Sequence, residues 1–467
     1  MDRSRDCFGS EESFERCRRH LLSSLVSFGR HTITGLLRTQ NRHQQDWTAD
    51  YRFYSQARFD DQQVFELVRR IVDRHLDKSQ PLVTAMDDSL LHKTGRKVHG
   101  VRYLRDPLSP PFQVNLVRGL RVLQISAALP DGQGGARLVP IDFQHAVLPA
   151  KPPRQATAAE LEAYQQERAR CNLNKVGAAR LEQLRQQMDQ HGDIQRRLIT
   201  AVDGRFTNRT VFGAVPARTV LVGRIRKDTV LYHLPQTQPD KGRKRKYGAL
   251  APTPEQLLQE EAVPWQVVEG YACGQKHQFK VKELGPVVMR MNGGAMPVRI
   301  LVIKPLGYRL KVGGKLLYRQ PAFLVCTDPE LPLAQFLQDF LWRWDIEVNF
   351  RDEKTILKVG QAQVRTESST QRAPALGVAA YSLLTLAATQ AYGKTGTPDR
   401  QPQPKWYHRT LDQRATTNEL INQLRIELWA SALQPGHFSD FITGASPDQK
   451  SDKCKFNPAP AMFSSVY

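Results

Sequence analysis

Apolar positions recur at helical spacing through the first 78 residues of the chain. One cluster spans 21–28, and a second amphipathic pattern spans 64–76 behind the possible N-cap residues Asp60 and Asp61. The segment between them mixes arginines with Thr, Trp and Tyr, a composition that suits contact with phosphate. We therefore expect a helical N-terminal DNA-binding region at 1–78, although an ordinary helical subdomain with solvated basic residues would give the same pattern.

From Pro81 onward the pattern changes to short apolar runs. PLVTAMDD, QVNLVRG and LRVLQISAAL predict a strand followed by a hairpin that turns near Gly119. Residues 156–190 are rich in Glu, Gln and Arg and predict one long polar helix, or a pair broken near Gly177. RLITAVDGRF and ARTVLVGRIRK predict two further strands. This order of elements predicts the fold class α/β with a mixed sheet.

The second half of the chain adds a β-rich segment and more helices. Short apolar runs separated by Gly, Pro and Asn fill 263–326 and predict an all-β insertion. The absence of Pro and Gly between Pro332 and Gly360 predicts one continuous helix, and VAAYSLLTLAATQAY and 411–433 predict two more. The expected domains are 1–78, then 79–232 as the first part of the core and 233–328 as basic loop and insertion, then 329–395 as the second part of the core and 396–467 as a helical region and tail.

The composition points to a polyanionic partner. Lys and Arg number 67 and Asp and Glu 46, a net charge of +21, and neutralising phosphates releases condensed counterions. DNA or RNA is the first interpretation, with a merely solvated basic surface as the alternative. No run approaches the roughly 18 apolar residues of a membrane helix and the polar start lacks the apolar core of a signal peptide. We therefore expect a soluble, cytoplasmic protein with no membrane partner. The six scattered cysteines indicate reduced thiols.

One loop concentrates positive charge. QTQPDKGRKRKYG carries five cations almost in succession: Lys241, Arg243, Lys244, Arg245 and Lys246. Charges so close together repel one another unless water solvates them or phosphate lies opposite. We expect this loop to contact DNA, and a solvated loop without a ligand is the alternative.

Carboxylates follow two of the predicted strands at comparable places. Asp87 and Asp88 end one strand and Asp203 ends another. If these strands are neighbours, the carboxylates converge at one edge of the sheet and offer the hard oxygen ligands that Mg²⁺ requires. Two such ions about 3.5–4 Å apart would support in-line displacement at phosphorus. A single Asp at a strand end is more often a turn or cap residue.

A third acid lies on the helix predicted after Pro332. Phe340, Arg343, Glu347 and Lys354 fall within roughly 60° of one face at 100° per residue. An exposed helix with an i, i+4 ion pair would give the same stripe. Trp344, like Trp342, offers a flat surface on which a base can stack, or a core side chain.

These residues resemble the Y-x2-R-x3-E-x6-K signature of DDE transposases from bacterial insertion sequences, of the cut-and-paste, hairpin-forming group. MDDSLLHKTGRKVHGV resembles the first-acid segment of these transposases and VDGRFTNRTVF the second. KGRKRKYG resembles their basic loop, and FLVCTDPELPLAQFLQDFLWRWDIEVNFRDEK the junction into the glutamate helix. With FGRHTITGLL near the N-terminus, the resemblance covers about 25–390.

The resemblance implies a ribonuclease H-like catalytic core interrupted by a β-rich insertion. It places the catalytic and metal-binding triad on Asp87, Asp203 and Glu347, and DNA-contacting side chains on Arg343 and Lys354. Phe340 stands where the family usually has Tyr, so a hydrogen bond from the Tyr hydroxyl to DNA is absent here and only packing of the ring remains. Asp87 is preferred to Asp88 because the family's acid usually stands two residues ahead of a Thr or Ser, here Ser89.

The resemblance also implies a reaction and partners. Two Mg²⁺ ions, for which Mn²⁺ can substitute, would support nicking of double-stranded DNA at transposon ends. The freed 3′-hydroxyl would form a hairpin, and the reopened end would join target DNA. A homodimer assembled on DNA in the bacterial cytoplasm is expected. The alternatives are a transposase-derived DNA-binding protein without cleavage activity and a structure-specific nuclease of the same fold.

Overall fold

The computed structural model describes residues 2–56, 58–106, 109–110, 112–236, 242, 244–291, 294–398 and 414–429. The chain divides into two compact units. Unit 1 comprises Met1–Asp60, Asp352–Gln363 and Leu376–Tyr467, and unit 2 comprises Asp61–Arg351 and Val364–Ala375. The fourth helix, which starts at Asp61, thus falls in unit 2. The five-part division expected from the sequence stays a prediction.

The helices and strands are numbered in chain order. The helices are a 3-10 helix at Asp2–Cys7, then α1 (Glu11–Val26), α2 (Ile33–Thr39), α3 (Thr48–Ser55), α4 (Asp61–Val72), α5 (Ala158–Arg170), α6 (Leu173–Gln190), α7 (Arg209–Phe212), α8 (Pro254–Gln259), α9 (Leu333–Trp342), α10 (Asp345–Thr355), α11 (Glu367–Tyr392) and α12 (Thr417–Trp429). The strands are β1 (Leu82–His92), β2 (Arg102–Arg105), β3 (Leu116–Pro130), β4 (Ala136–His145), β5 (Leu198–Val202), β6 (Thr219–Arg224), β7 (Leu231–His233), β8 (Leu250–Ala251), β9 (Gln266–Ala272), β10 (Gln275–Met291), β11 (Gly294–Ile303), β12 (Gly307–Arg309), β13 (Leu316–Tyr318) and β14 (Ala322–Cys326).

The described part of unit 1 is mainly helical, as the apolar spacing near the N-terminus predicts. Ser10 caps α1 by accepting a hydrogen bond from the Ser13 N–H, and Thr32 caps α2 in the same way. The segment after α1 is fixed by cations from distant parts of the unit. Arg425 donates to the Ser27 carbonyl at 3.1 Å, and Lys358 donates to the Gly29 carbonyl at 2.8 Å. These bonds satisfy backbone carbonyls of the segment that follows α1.

Unit 2 is built on a mixed sheet, and twelve strands of the described residues belong to it. Its main order is β2-β3-β1-β5-β6-β14-β11-β10-β7-β8, with β4 paired to β3 and β9 paired to β10. The strands β1, β5 and β6 are parallel, whereas β3 is antiparallel to β1 and to β4. With helices α6, α9 and α10 packed against it, this order is consistent with the ribonuclease H-like core that the resemblance implies.

The predicted β-rich series is confirmed as strands, and it extends the core sheet. The strand β14 pairs with β6, and β11, β10 and β9 follow in antiparallel order. Only the hairpin of β12 and β13 forms a sheet of its own among the described residues. Residues 266–303 therefore continue the sheet that carries Asp87 and Asp203.

The predicted turn near Gly119 is wrong, because β3 runs through this position. Gly119 pairs with His92 of β1 and with Arg102 of β2, and the hairpin turns only after Pro130. A Cβ atom at position 119 would lie 2.7 Å from the Leu91 carbonyl oxygen. The glycine thus serves a close approach of two backbones rather than a turn.

Two helix predictions also need correction. The polar stretch 156–190 is a pair of helices, but the break lies at Cys171 and Asn172, where Asn172 caps α6. Gly177 lies inside α6, where its missing side chain allows contact with Phe206 and Met86. The stretch after Pro332 is also two helices. The N–H groups of Arg343, Trp344 and Glu347 bond to carbonyls three residues earlier, which makes a tight 3-10 step between α9 and α10.

Two further observations concern the cysteines and the helices. The five cysteines within the described residues are free, and Cys454 lies outside these residues. Across the described part of the chain, no helix combines the length and the apolar character that crossing a membrane requires.

Candidate active site

Asp87 and Asp203 lie side by side at one edge of the sheet. The parallel strands β1 and β5 pair Met86 with Val202, so the two aspartates are the next residues on neighbouring strands. The carboxylate of Asp203 accepts the Arg205 backbone N–H at 2.8 Å, which fixes the turn that follows β5. The expected convergence of the two acids is therefore present in the structure, but Asp87 does not end its strand, because β1 continues to His92 against β3.

Asp87 and Asp88 point to opposite faces of the sheet, because side chains alternate along a strand. Ala85 packs with Ile346 and Phe350, so the face of Ala85 and Asp87 is covered by α10. Met86, on the other face with Asp88, lies beneath α6. Asp87 thus shares a face with the helix that carries Glu347, and Asp88 does not.

The helix α10 is pinned to the sheet on both sides of Glu347. Asp345 accepts the Leu138 backbone N–H at 2.9 Å, and Asn349 donates to the Leu138 carbonyl at 3.0 Å. These two bonds fix the rotation of the helix over β4. Glu347 lies between them in sequence and is exposed, with 46% of its side chain accessible.

Arg343 links two of the three predicted acids. Its guanidinium lies 3.2 Å from Asp87 Oδ2 and 4.0 Å from Glu347 Oε1. Arg343 lies in the step between α9 and α10, directly after α9 and one turn before Glu347. The predicted i, i+4 ion pair is therefore present, and it also reaches the sheet.

The carboxylates repel one another, and burial adds to the effect. Burial raises the pKa of Asp87 to about 8, with a further rise from Asp203 and a smaller one from Glu347. Arg343 and the hydrogen bond from the Asp88 N–H oppose this rise. Burial also raises the pKa of Asp88, while Arg205 and Arg121 lower it. Such mutual repulsion among hard oxygen donors is the electrostatic condition that a divalent cation relieves.

The three acids fit a divalent ion in chemistry, but they are not gathered as ligands in this conformation. Within the described ranges, no group of three or more His, Cys, Asp or Glu side chains is placed to hold a metal ion. Asp87 is instead bonded to Arg343. Its Oδ2 accepts from Arg343 and its Oδ1 from the Asp88 N–H in this conformation.

The other predicted contact residues are distributed around the junction of α9 and α10. The Arg343 guanidinium carbon lies 5.7 Å from the centre of the Phe340 ring, and Trp344 is 64% exposed. Trp342 Nε1 donates to the Gly134 carbonyl at 3.0 Å, which gives that side chain a structural role. Lys354 lies two turns after Glu347 on α10, in the part of the helix assigned to unit 1.

The basic loop is described in part. Lys244, Arg245 and Lys246 are exposed in the connection between β7 and β8. Lys241 and Arg243 lie outside the described residues. The described portion keeps three cationic side chains at the surface, as the sequence predicts.

The comparison with protein families decides the assignment. The model of a family described as "DDE superfamily endonuclease" matches residues 5–280, more than half of the chain. The chain belongs to the DDE superfamily of endonucleases. The matched range includes Asp87 and Asp203 and ends before Glu347, so the third acid rests on the structure of the junction and on the resemblance. A comparison with curated proteins gives no match.

Membership in the DDE superfamily supports a nuclease or transposase type of enzyme that acts on DNA. Enzymes of this superfamily generally use divalent metal ions. Sequence reasoning did not find the arginines around Asp88, namely Arg121 and Arg205. They come from β3 and from the turn after β5, so no spacing in the sequence links them.

Proposed function

We propose that this DDE superfamily endonuclease is a transposase that binds the terminal inverted repeats of an insertion sequence and moves it by cut-and-paste. The carrying observation is the convergence of Asp87 and Asp203 on adjacent strands, with Glu347 of α10 on the face of Asp87. Binding to DNA alone would not require a buried Asp87 beside two further acids, an arrangement that costs stability.

Asp87, Asp203 and Glu347 would hold the divalent ions. When bound, Mg²⁺ or Mn²⁺ would activate the attacking oxygen and stabilise the leaving oxygen during displacement at phosphorus. The chain's own contribution is to hold the acids on rigid strands and on a helix pinned by Asp345 and Asn349. A site held this way keeps its geometry while the nucleophile changes from water to a 3′-hydroxyl.

Cationic groups would position the DNA. Arg343 is placed to exchange its bond to Asp87 for a bond to phosphate, which frees the carboxylate for the metal. We assign further phosphate contacts to Lys354 and to the cations of the basic loop, namely Lys241, Arg243, Lys244, Arg245 and Lys246. The exposed ring of Trp344 and the ring of Phe340 are assigned contacts with an unstacked base.

The proposal is tested with DNA fragments that carry the element's terminal repeats. Incubation with Mg²⁺ or Mn²⁺ should produce a nick at the repeat boundary, then a hairpin that migrates as a covalently closed end on a denaturing gel. Addition of target DNA should give joined products, and a homodimer should form on the paired ends. Binding without any cut would indicate a DNA-binding protein, and cutting without hairpin or joining would indicate a nuclease. Either result would contradict a transposase.

A further inference from the structure

A cavity lies on the face of the sheet opposite to the face that carries Asp87 and is covered by the helix of Glu347. It has a volume of about 300 Å³ and is lined by residues of four separate segments of the chain. Arg121 comes from β3, Arg205 from the turn after β5, and Arg168 from the last turn of α5. Cys171 and Asn172, between α5 and α6, complete its polar wall. A volume of this size lies at the small end of ligand-binding pockets.

The cavity carries an excess of positive charge. Asp88 lies within 3.6 Å of Arg121 and 3.5 Å of Arg205, so one carboxylate is shared by two guanidinium groups. The two arginines repel each other, and this repulsion adds to burial in lowering the pKa of Arg121. Arg168 is exposed and forms no ion pair within the part of the chain that the structure describes. The cavity thus has three cations in its wall and one neighbouring carboxylate, shared by two of them, which favours a ligand with negative charge.

The backbone adds to the attraction for an anion. The cavity wall includes the first residues of α6, an 18-residue helix whose N-terminus is capped by the Asn172 side chain and carries the positive end of the helix dipole. Arg121 Nε lies 3.6 Å from Asp88 Oδ2, beyond hydrogen-bond distance, and is buried without another acceptor. A phosphate group would supply acceptors for Arg121, Arg168 and Arg205 at once, and guanidinium groups bind phosphate in bidentate geometry.

The cavity adjoins the candidate active site through β1. Asp88, which its arginines share, is the residue after Asp87, and Arg205 is two residues after Asp203. We propose that this cavity is a phosphate-binding pocket for the DNA strand that enters the active site, so that a backbone phosphate next to the scissile one is fixed by Arg121, Arg168 and Arg205. This inference rests on the proposed function, and it adds a contact that none of the motif residues makes.

The first test uses Cys171, which lines the cavity, as a reporter of occupancy. The protein is alkylated with a maleimide in the presence and absence of a duplex oligonucleotide, without metal, and peptide mass mapping follows Cys171 and the exposed Cys273 separately. Burial and the hydrogen bond to Glu167 raise the pKa of the Cys171 thiol, so the reaction is run at about pH 8.5. Duplex DNA should slow the labelling of Cys171, and inorganic phosphate or a deoxynucleoside monophosphate should do so only at much higher concentration.

The second test compares two arginines of the same helix. Arg168→Gln removes a cavity charge, and Arg170→Gln removes an equal charge from a side chain that is 79% exposed, paired with Glu167 and outside the cavity. Fluorescence anisotropy with the same duplex should show a loss of affinity of about three- to tenfold for Arg168→Gln, and a salt slope smaller by about 0.9. Arg170→Gln should keep the wild-type slope and the protection of Cys171.

The outcomes separate the pocket from the proposed function. DNA binding with unprotected Cys171, or with equal slopes for the two variants, would overturn the pocket and leave the transposase proposal standing. Protection by free phosphate or the mononucleotide alone would also overturn a DNA-strand site. Failure of the wild-type protein to bind any duplex would overturn the pocket and the proposed function together.

Discussion

Replacing Asp87 by Asn is expected to lower the rate of metal-dependent DNA cleavage by more than about 100-fold. Loss of a group that only orients a metal ligand typically costs 10–100-fold, and a direct ligand should cost more. Asp87 lies beside Asp203 on the face covered by α10, where its carboxylate senses both Asp203 and Glu347. Asn keeps the shape of the side chain but removes the negative charge that a divalent ion requires.

The neighbouring residue supplies a matched control. Asp88→Asn makes the same chemical change one residue along β1, on the face of Arg121 and Arg205. We expect this variant to retain cleavage within about tenfold of the wild type, because its side chain points away from Glu347. Cleavage that survives in Asp87→Asn and disappears in Asp88→Asn would show that the first acid had been assigned to the wrong residue.

The second large effect is on stability, and its sign follows from the raised pKa of Asp87. An unfolded Asp ionises near pH 3.8, whereas the folded protein holds the proton on Asp87 up to about pH 8. Below pH 3.8, Asp87 is protonated in the folded and the unfolded state and does not change the free energy of unfolding. Between them the folded state binds more protons than the unfolded state, so the free energy of unfolding falls as pH rises. Above about pH 8, Asp87 is ionised in both states and its burial lowers the free energy of unfolding by the full amount.

Asp87→Asn removes this cost and should stabilise the metal-free protein. Thermal unfolding in EDTA should give similar Tm values for variant and wild type near pH 4, and a gap that widens to several degrees by pH 8, on the order of a few kcal/mol. The exposed Glu330, changed to Gln, is the control for loss of one negative charge. Parallel Tm curves for Asp87→Asn and wild type from pH 4 to pH 8 would contradict the electrostatic account of the site.

The pair of aspartates could be predicted because two independent signals coincide there. The apolar runs before Asp87 and Asp203 predict buried strands, and parallel pairing places the residues that follow these runs side by side, although β1 itself continues past Asp87. The register of Met86 with Val202 adds what the sequence could not supply, namely that the two acids are at equal height.

Other parts of the core could not be predicted from the sequence pattern. Strand β4 contains Pro140, which argues against a central strand, and its pairing was not predicted. The structure accommodates this proline at a register shift opposite Ser126, on a strand whose pairing within the described sheet is to β3 alone. The junction after Trp342 lacks Gly and Pro and still changes direction, because i, i+3 backbone bonds replace helical ones there.

Arginines were the residues whose roles depended most on the fold. Arg343 was predicted from its spacing to Glu347, but its bond to Asp87 joins positions 256 residues apart. The cavity arginines come from β3, α5 and the turn after β5, and no periodicity connects them. The net charge predicted a polyanionic partner. The places where the cations of the protein cluster could be seen only in the folded sheet.

The central claim is that Glu347 completes an acidic site begun by Asp87 and Asp203, and the cleavage rate of a Glu347→Gln variant tests it most directly. The rate is measured with Mn²⁺ on DNA carrying the terminal repeats, beside Glu330→Gln, which makes the same change at an exposed position before α9. The account predicts a loss of more than about 100-fold for Glu347→Gln and an unchanged rate for Glu330→Gln. Cleavage by Glu347→Gln at the wild-type rate would contradict it.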